Sequence, residues 1–173
     1  MIITMPTVRH TGSQYVRHLL RSALPEHTLR SEPDHGFVTD HTYDAHMPAF
    51  RQWLEVSELV VIPLRNPARV ANSWAKSSRD PSFYHHWHEM WENLMILYAA
   101  ALSNKAKVIT IPVDLKADKY RPIRELERFI GHRFPEELLS NVENPGKYNF
   151  PNPLPEWEPI MPFPLIQDHY NKG

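Results

Sequence analysis

Two short segments carry most of the chemistry this sequence can offer. The first, Val8-Arg9-His10-Thr11-Gly12-Ser13-Gln14-Tyr15, follows the apolar opening of the chain and leads into a helix-like run. The second, Arg65-Asn66-Pro67-Ala68-Arg69-Val70-Ala71-Asn72-Ser73, follows the apolar run Leu59–Leu64 and sets a serine eight residues after an arginine. Each places backbone N–H groups, a hydroxyl and basic side chains where a strand gives way to a helix. The first-turn N–H groups of a helix lack partners within it, and the helix dipole favours negative charge there. Such a junction is suited to an anion. Two of them in one chain point to a ligand with two separate phosphate-like groups.

A nucleoside-triphosphate P-loop would need Gly-x-x-x-x-Gly-Lys-[Ser/Thr], with the lysine on the terminal phosphates and a hydroxyl on Mg²⁺. With Ser13 set at the hydroxyl position, Gly12 falls where the lysine belongs, and no glycine precedes it. The acids that end strand-like runs are Asp40 and Asp114. The pattern therefore disfavours metal-dependent phosphoryl transfer by a nucleotide or sugar kinase. A sulfuryl group carries one negative charge fewer, and basic side chains with N–H dipoles would suffice to stabilise its transfer.

On four segments in order the chain resembles the sulfotransferase family, which uses 3′-phosphoadenosine-5′-phosphosulfate (PAPS). Val8–Tyr15 is similar to the family's 5′-phosphosulfate loop, and Arg65–Ser73 to its 3′-phosphate motif, with the arginine–serine spacing kept. Val113-Asp114-Leu115-Lys116-Ala117-Asp118, followed later by Phe129-Ile130-Gly131, resembles the Tyr-Glu-Asp-Leu…Phe-Leu-Gly stretch. Thr39-Asp40-His41 falls where many members carry Lys-Thr-His at the end of the second strand.

The resemblance implies roles. Arg65 and Ser73 would hold the 3′-phosphate. The N–H groups of Thr11, Gly12 and Ser13, with the neighbouring hydroxyls and Gln14, would hold the 5′-phosphosulfate. His41 would be the general base, a role that suits an unperturbed pKa near 6.5; Asp40, His35 and His46 are its competitors. The family's basic residue before the Ser/Thr-Gly step falls on His10, with Arg9 displaced by one. Either would neutralise the departing 3′,5′-adenosine bisphosphate, His10 only if protonated. The family's C-terminal Arg-Lys-Gly clamp has Pro145-Gly146-Lys147 as its nearest counterpart. That gap and the His10 substitution favour the alternative of a noncatalytic nucleotide-binding or protein-interaction module that retains the fold. The implied acceptor is a hydroxyl or amine on a small molecule or carbohydrate.

These segments need a frame. Strand-like and helix-like runs alternate, the pattern of a parallel α/β sheet. The expected strands are Ile2–Met5, Gly36–Asp40, Leu59–Leu64 and Lys107–Pro112. The expected helices are Ser13–Ala23, Pro48–Val56, Pro67–Lys76, Ser82–Ser103, Tyr120–Ile130 and Glu136–Asn141. Asn66 and Ser82 are expected caps, and Gly131 an expected stop. The fold class predicted is α/β, a central parallel sheet of about four to five strands flanked by helices, sulfotransferase-like and P-loop-like. It would occupy residues 1–144.

In the long helix, Trp87, Met90, Trp91, Leu94, Met95, Leu97 and Tyr98 make a broad apolar stripe expected to pack as core. His85-His86-Trp87-His88-Glu89 offers two ligands at helical spacing, which do not make a metal site. It reads as a solvated or substrate-lining face. Residues 145–173 hold seven of the 17 prolines, with Trp157, Ile160, Met161, Phe163, Leu165 and Ile166 among them. This tail is expected to lie on the domain surface or on a partner, with a homo-oligomer as one outcome.

The 173 residues include 19 Lys or Arg and 20 Asp or Glu. That balance predicts no bulk attraction to nucleic acid or to anionic membrane, so a cationic site must be local. The chain has no cysteine, which excludes disulfides, thiolate zinc sites and a cysteine nucleophile. With no membrane-length apolar run and no basic n-region, the expected compartment is the cytoplasm.

Overall fold

The computed structural model describes residues 1–23, 37–67, 69–70, 73–74, 83–114 and 116–140. The Pro-rich tail, the Ser82 cap, His35 and the end of the expected Pro67–Lys76 helix lie outside the described residues, as do the side chains of Asp40, His85 and Asp118.

In chain order the elements are β1 (Ile3–Thr7), α1 (Ser13–Ala23), β2 (Phe37–His41), a 3₁₀ turn (Asp44–His46), α2 (Met47–Val56) and β3 (Leu59–Leu64). Residues 67, 69–70 and 73–74 are helical. Then come α3 (Phe83–Ser103), β4 (Lys107–Pro112), α4 (Lys116–Ile130) and α5 (Glu136–Ser140). All strand pairings are parallel, in the order β2-β1-β3-β4. The α/β class with a parallel sheet between helices is thus as the alternation predicted.

Every residue of β1 and β3 is buried, as expected of parallel strands covered on both faces. On one face α1 contributes Val16, Leu19 and Leu20 and α4 contributes Ile123 and Leu126, packed with Ile3, Met5, Val61 and Ile111. On the other, α2 supplies Phe50 and Leu54 and α3 supplies Trp87, Met90, Trp91, Leu94 and Leu97, packed with Val60, Ile62 and Leu64. The stripe on the long helix is core, with Met95 and Tyr98 at its margin.

Two boundaries shift by more than one residue. β1, expected over Ile2–Met5, runs through Pro6 to Thr7, each residue in register with β2 up to Thr7 opposite His41, and β2, expected to end at Asp40, takes in His41. Towards β3 only Ile3 and Thr4 pair, with Leu59 and Val60. Further on, Pro6 in β1 and Pro63 in β3 have no N–H to give. The central ladder therefore stops short of the carboxyl ends, where the chain turns into the two loops of interest. The strand order also reverses at β1 and β3, the switch point at which open α/β sheets bind ligands. The other shift is α4, which begins at Lys116 rather than Tyr120 and carries Pro122 inside it.

Candidate functional site

The turn after β1 is built from two left-handed residues. His10 has φ 64° and Gly12 φ 84°; histidine is among the side chains that enter this region most readily. Gly12 has a second reason to be glycine. A Cβ there would stand 2.7 Å from a methyl group of Val113, the residue that follows β4. The Gly12 carbonyl accepts the N–H groups of Tyr15 and Val16 at 3.0 and 3.3 Å, which starts α1. Buried Thr11 donates its hydroxyl to the Val8 carbonyl at 2.7 Å, bracing the turn from within. Ser13 is buried in the first turn of α1, and Gln14 beside it is exposed.

The second segment reaches this turn and meets it at one residue. Arg65 Nη1 donates to the His10 carbonyl at 3.3 Å. Ser73 Oγ lies 3.1 Å from His10 Nδ1. Trp74 joins them, with its ring centroid 6.2 Å from that of His10 and 5.4 Å from the guanidinium carbon of Arg9. Asn66 takes the cap position expected of it, its carbonyl accepting the Val70 N–H at 3.0 Å.

Asp114 orients this loop from the end of β4. Its carboxylate accepts the Asn66 N–H at 3.1 Å and pairs with Arg69 at 3.7 Å. The loops after β1, β3 and β4 are therefore one assembly: Val113 against Gly12, Asp114 on Asn66, Arg65 and Ser73 on His10.

The electrostatics of this assembly follow from its composition. Burial holds the His10 imidazole below its ordinary pKa of 6.5, and the charges of Arg9 and then Arg65 push the same way. Burial and both arginines thus disfavour the charged form of the ring.

His41 ends the neighbouring strand. Its Nδ1 lies 3.1 Å from the hydroxyl of buried Thr7, its register partner. Its carbonyl accepts the Tyr43 N–H at 2.9 Å and His46 Nδ1–H at 2.7 Å. Tyr43 stands edge-on to three imidazoles, with centroids 6.2 Å from His41, 5.9 Å from His46 and 5.5 Å from His86. His86 Nδ1 bonds Glu89 at 3.1 Å, and the same carboxylate accepts the Asp44 N–H at 2.6 Å. Below them, Thr42 donates to the Met90 carbonyl at 2.7 Å, while Asn93 donates to the Thr42 carbonyl and to Asp44 at 2.9 and 2.8 Å.

The residues expected at the anion site thus divide. Arg9, His10, Arg65 and Ser73 come together around Trp74, and Thr11, Gly12, Ser13 and Gln14 form the adjoining turn. His41 belongs to a second cluster at the end of the next strand. Trp74 and the Tyr43–His86–Glu89 group were missed; the adjacent histidines of the long helix were their only trace in the sequence. Among the described residues, no three His, Cys, Asp or Glu side chains are arranged to hold a metal ion, and no helix is long and apolar enough to cross a membrane. Compared with family models, with curated proteins and with solved structures, the chain matches none of them at a significant level.

Proposed function

We propose that this protein is sulfotransferase-like and transfers a sulfuryl group from PAPS to a hydroxyl or amine of a small-molecule or carbohydrate acceptor. The observation that carries this reading is the convergence of Arg65 and Ser73, eight residues apart, on the turn that holds His10. Two candidate anion loops then share one edge of the sheet, at its switch point. Arg65 and Ser73 would face the 3′-phosphate. The backbone N–H groups from Thr11 to Ser13, with Arg9 and His10, would face the 5′-phosphosulfate. The P-loop-like assignment of the fold is part of the same proposal.

The chemistry is an in-line displacement at sulfur. The acceptor oxygen or nitrogen bonds to sulfur as the bond from sulfur to the 5′-phosphate oxygen breaks. The acceptor's proton passes to His41, and 3′,5′-adenosine bisphosphate leaves with its charge met by Arg9 and Arg65. Thr7, whose hydroxyl lies beside Nδ1, would orient the His41 ring for this role.

One observation favours the noncatalytic reading. The position where the family has a permanent cation is filled by an imidazole whose charged form is disfavoured by burial and by Arg9 and Arg65. Calorimetric titration with 3′,5′-adenosine bisphosphate, beside AMP and Mg·ATP, tests the site. Selective binding without Mg²⁺ is expected, and an acceptor screen with labelled PAPS then separates enzyme from binding module. Failure to bind any of the three would remove both nucleotide readings; binding of Mg·ATP alone would restore the kinase.

A further inference from the structure

We infer that the chain's own segment Leu154–Ile160 docks, through Glu156-Trp157-Glu158, into a basic groove between β4 and α4.

The groove has a volume of about 470 Å³ and is lined by Lys107, Arg121, Glu125, Arg128 and Phe129. Lys107 opens β4 and pairs with Glu125, which sets the groove at the amino end of that strand, away from the loops around His10. This pair cancels its own charge and leaves Arg121 and Arg128 in excess. Arg128 donates its Nε–H to the Arg124 carbonyl at 3.2 Å. No carboxylate among the described residues pairs with either guanidinium. The two arginines stand two turns apart on α4, about 10 Å along its axis, with the exposed ring of Phe129 beside Arg128. An occupant matched to this lining has two carboxylates set apart by an apolar group.

The chain carries that pattern beyond α5. Glu156 and Glu158 flank Trp157, and no Lys or Arg falls between Lys147 and Lys172 to compensate them. An indole ring suits both kinds of neighbour in the groove, since guanidinium groups sit over its face and aromatic edges pack against it. Pro155 and Pro159 enclose the step, and their fixed φ lowers the entropy that docking must overcome.

The point where the described chain ends puts the segment within reach. α5 lies back on α4: Arg124 donates to Glu136 at 2.8 Å, and Glu127 accepts the Phe134 N–H at 2.9 Å. Leu139 is buried in the same cluster as Ile123 and Leu126. Residues 141–153, extended at about 3.3 Å each, span about 40 Å. The whole of α4 is about 22 Å long.

The test is fluorine NMR of the full chain labelled with 5-fluorotryptophan. Trp53, Trp74, Trp87 and Trp91 are buried, and the Trp157 signal is identified by its loss in Trp157→Phe. Because the chain has no cysteine, His132→Cys, exposed just after α4, carries a single nitroxide. That label should broaden the Trp157 signal. A nitroxide at Glu92→Cys, exposed on α3 across the sheet, should not.

Arg121→Glu with Arg128→Glu should abolish the broadening, as should Glu156→Lys with Glu158→Lys, and the four changes together should restore it. The buried tryptophan signals report whether each variant folds, and the pair at 156 and 158 decides alone if the groove pair does not. Broadening that survives the charge reversals, or none in the wild type, would overturn the inference. Broadening between separate chains, one carrying the nitroxide and the other the fluorotryptophan, would give the groove to a second copy and overturn it as well.

Discussion

The ends of β1 and β2 lie side by side, yet they are built on opposite principles. The turn at His10 gathers the cations Arg9 and Arg65 around an imidazole whose charged form they disfavour, and Asp114 serves as a brace for the neighbouring loop. The cluster at His41 instead alternates imidazoles with acids and hydroxyls: Thr7 on His41, Glu89 on His86, Asn93 on Asp44. In the first, cations meet at one turn; in the second, each polar side chain is held by a named neighbour. On the proposed function the contrast would separate binding from proton transfer, and each half can be disturbed alone.

The largest effect should come from Gly12→Ala. The new Cβ would collide with Val113 in a backbone region that side chains rarely adopt, costing about 2–3 kcal/mol. Gly131→Ala is the control: φ is 72° but nothing lies within 4 Å, so strain alone should cost about 1 kcal/mol. Urea denaturation of the two variants measures the difference.

Asn93→Ala strips the buried brace beneath the His41 cluster and should cost about 1–2 kcal/mol, while the affinity for 3′,5′-adenosine bisphosphate stays unchanged. A matching loss of affinity would mean that the two clusters are one.

Next, Arg65→Ala should weaken bisphosphate binding about tenfold or more, given that hydrogen bonds to charged groups are worth roughly 1.5–3 kcal/mol. His41→Ala should abolish sulfuryl transfer and leave that binding nearly intact. Calorimetry and a turnover assay on both variants check the division of labour; lost binding in His41→Ala would remove the general-base role.

The smallest effect is on stability against pH. The folded His10 binds its proton less readily than the unfolded one, so its contribution is complete above the unfolded value near 6.5 and is lost as pH falls through the lower folded value. Melting temperatures from pH 8 to pH 5 should therefore fall more for wild type than for His10→Asn.

Much of the frame was legible from pattern alone. β3, β4 and α1 begin and end where apolar periodicity places them, because each buries a face whose spacing the side chains must match. The turn at Gly12 was legible as well, since a glycine between hydroxyl residues at a strand end has few other uses. β1 runs on through Pro6 because every residue of the strand is buried, and packing there outweighs one lost backbone hydrogen bond.

The His41 cluster was illegible for a different reason. Tyr43 precedes the 3₁₀ turn while His86 and Asn93 stand on α3, and only the packing of α3 beneath that turn brings them together. The His10–Ser73 contact spans 63 positions, so spacing in the sequence could nominate both residues without showing that they touch.

The two contacts made by the end of β4 have a consequence for how this protein can change. Val113 fills the space a side chain at Gly12 would need, and Asp114 fixes the start of the Arg65 loop. An insertion that displaced Val113 and Asp114 would release both at once. Loop exchange, the usual route to new specificity on an α/β scaffold, is closed at these positions unless all three loops are replaced as a set. Side chains around Tyr43 and His86, by contrast, make none of the contacts that hold the two loops at His10.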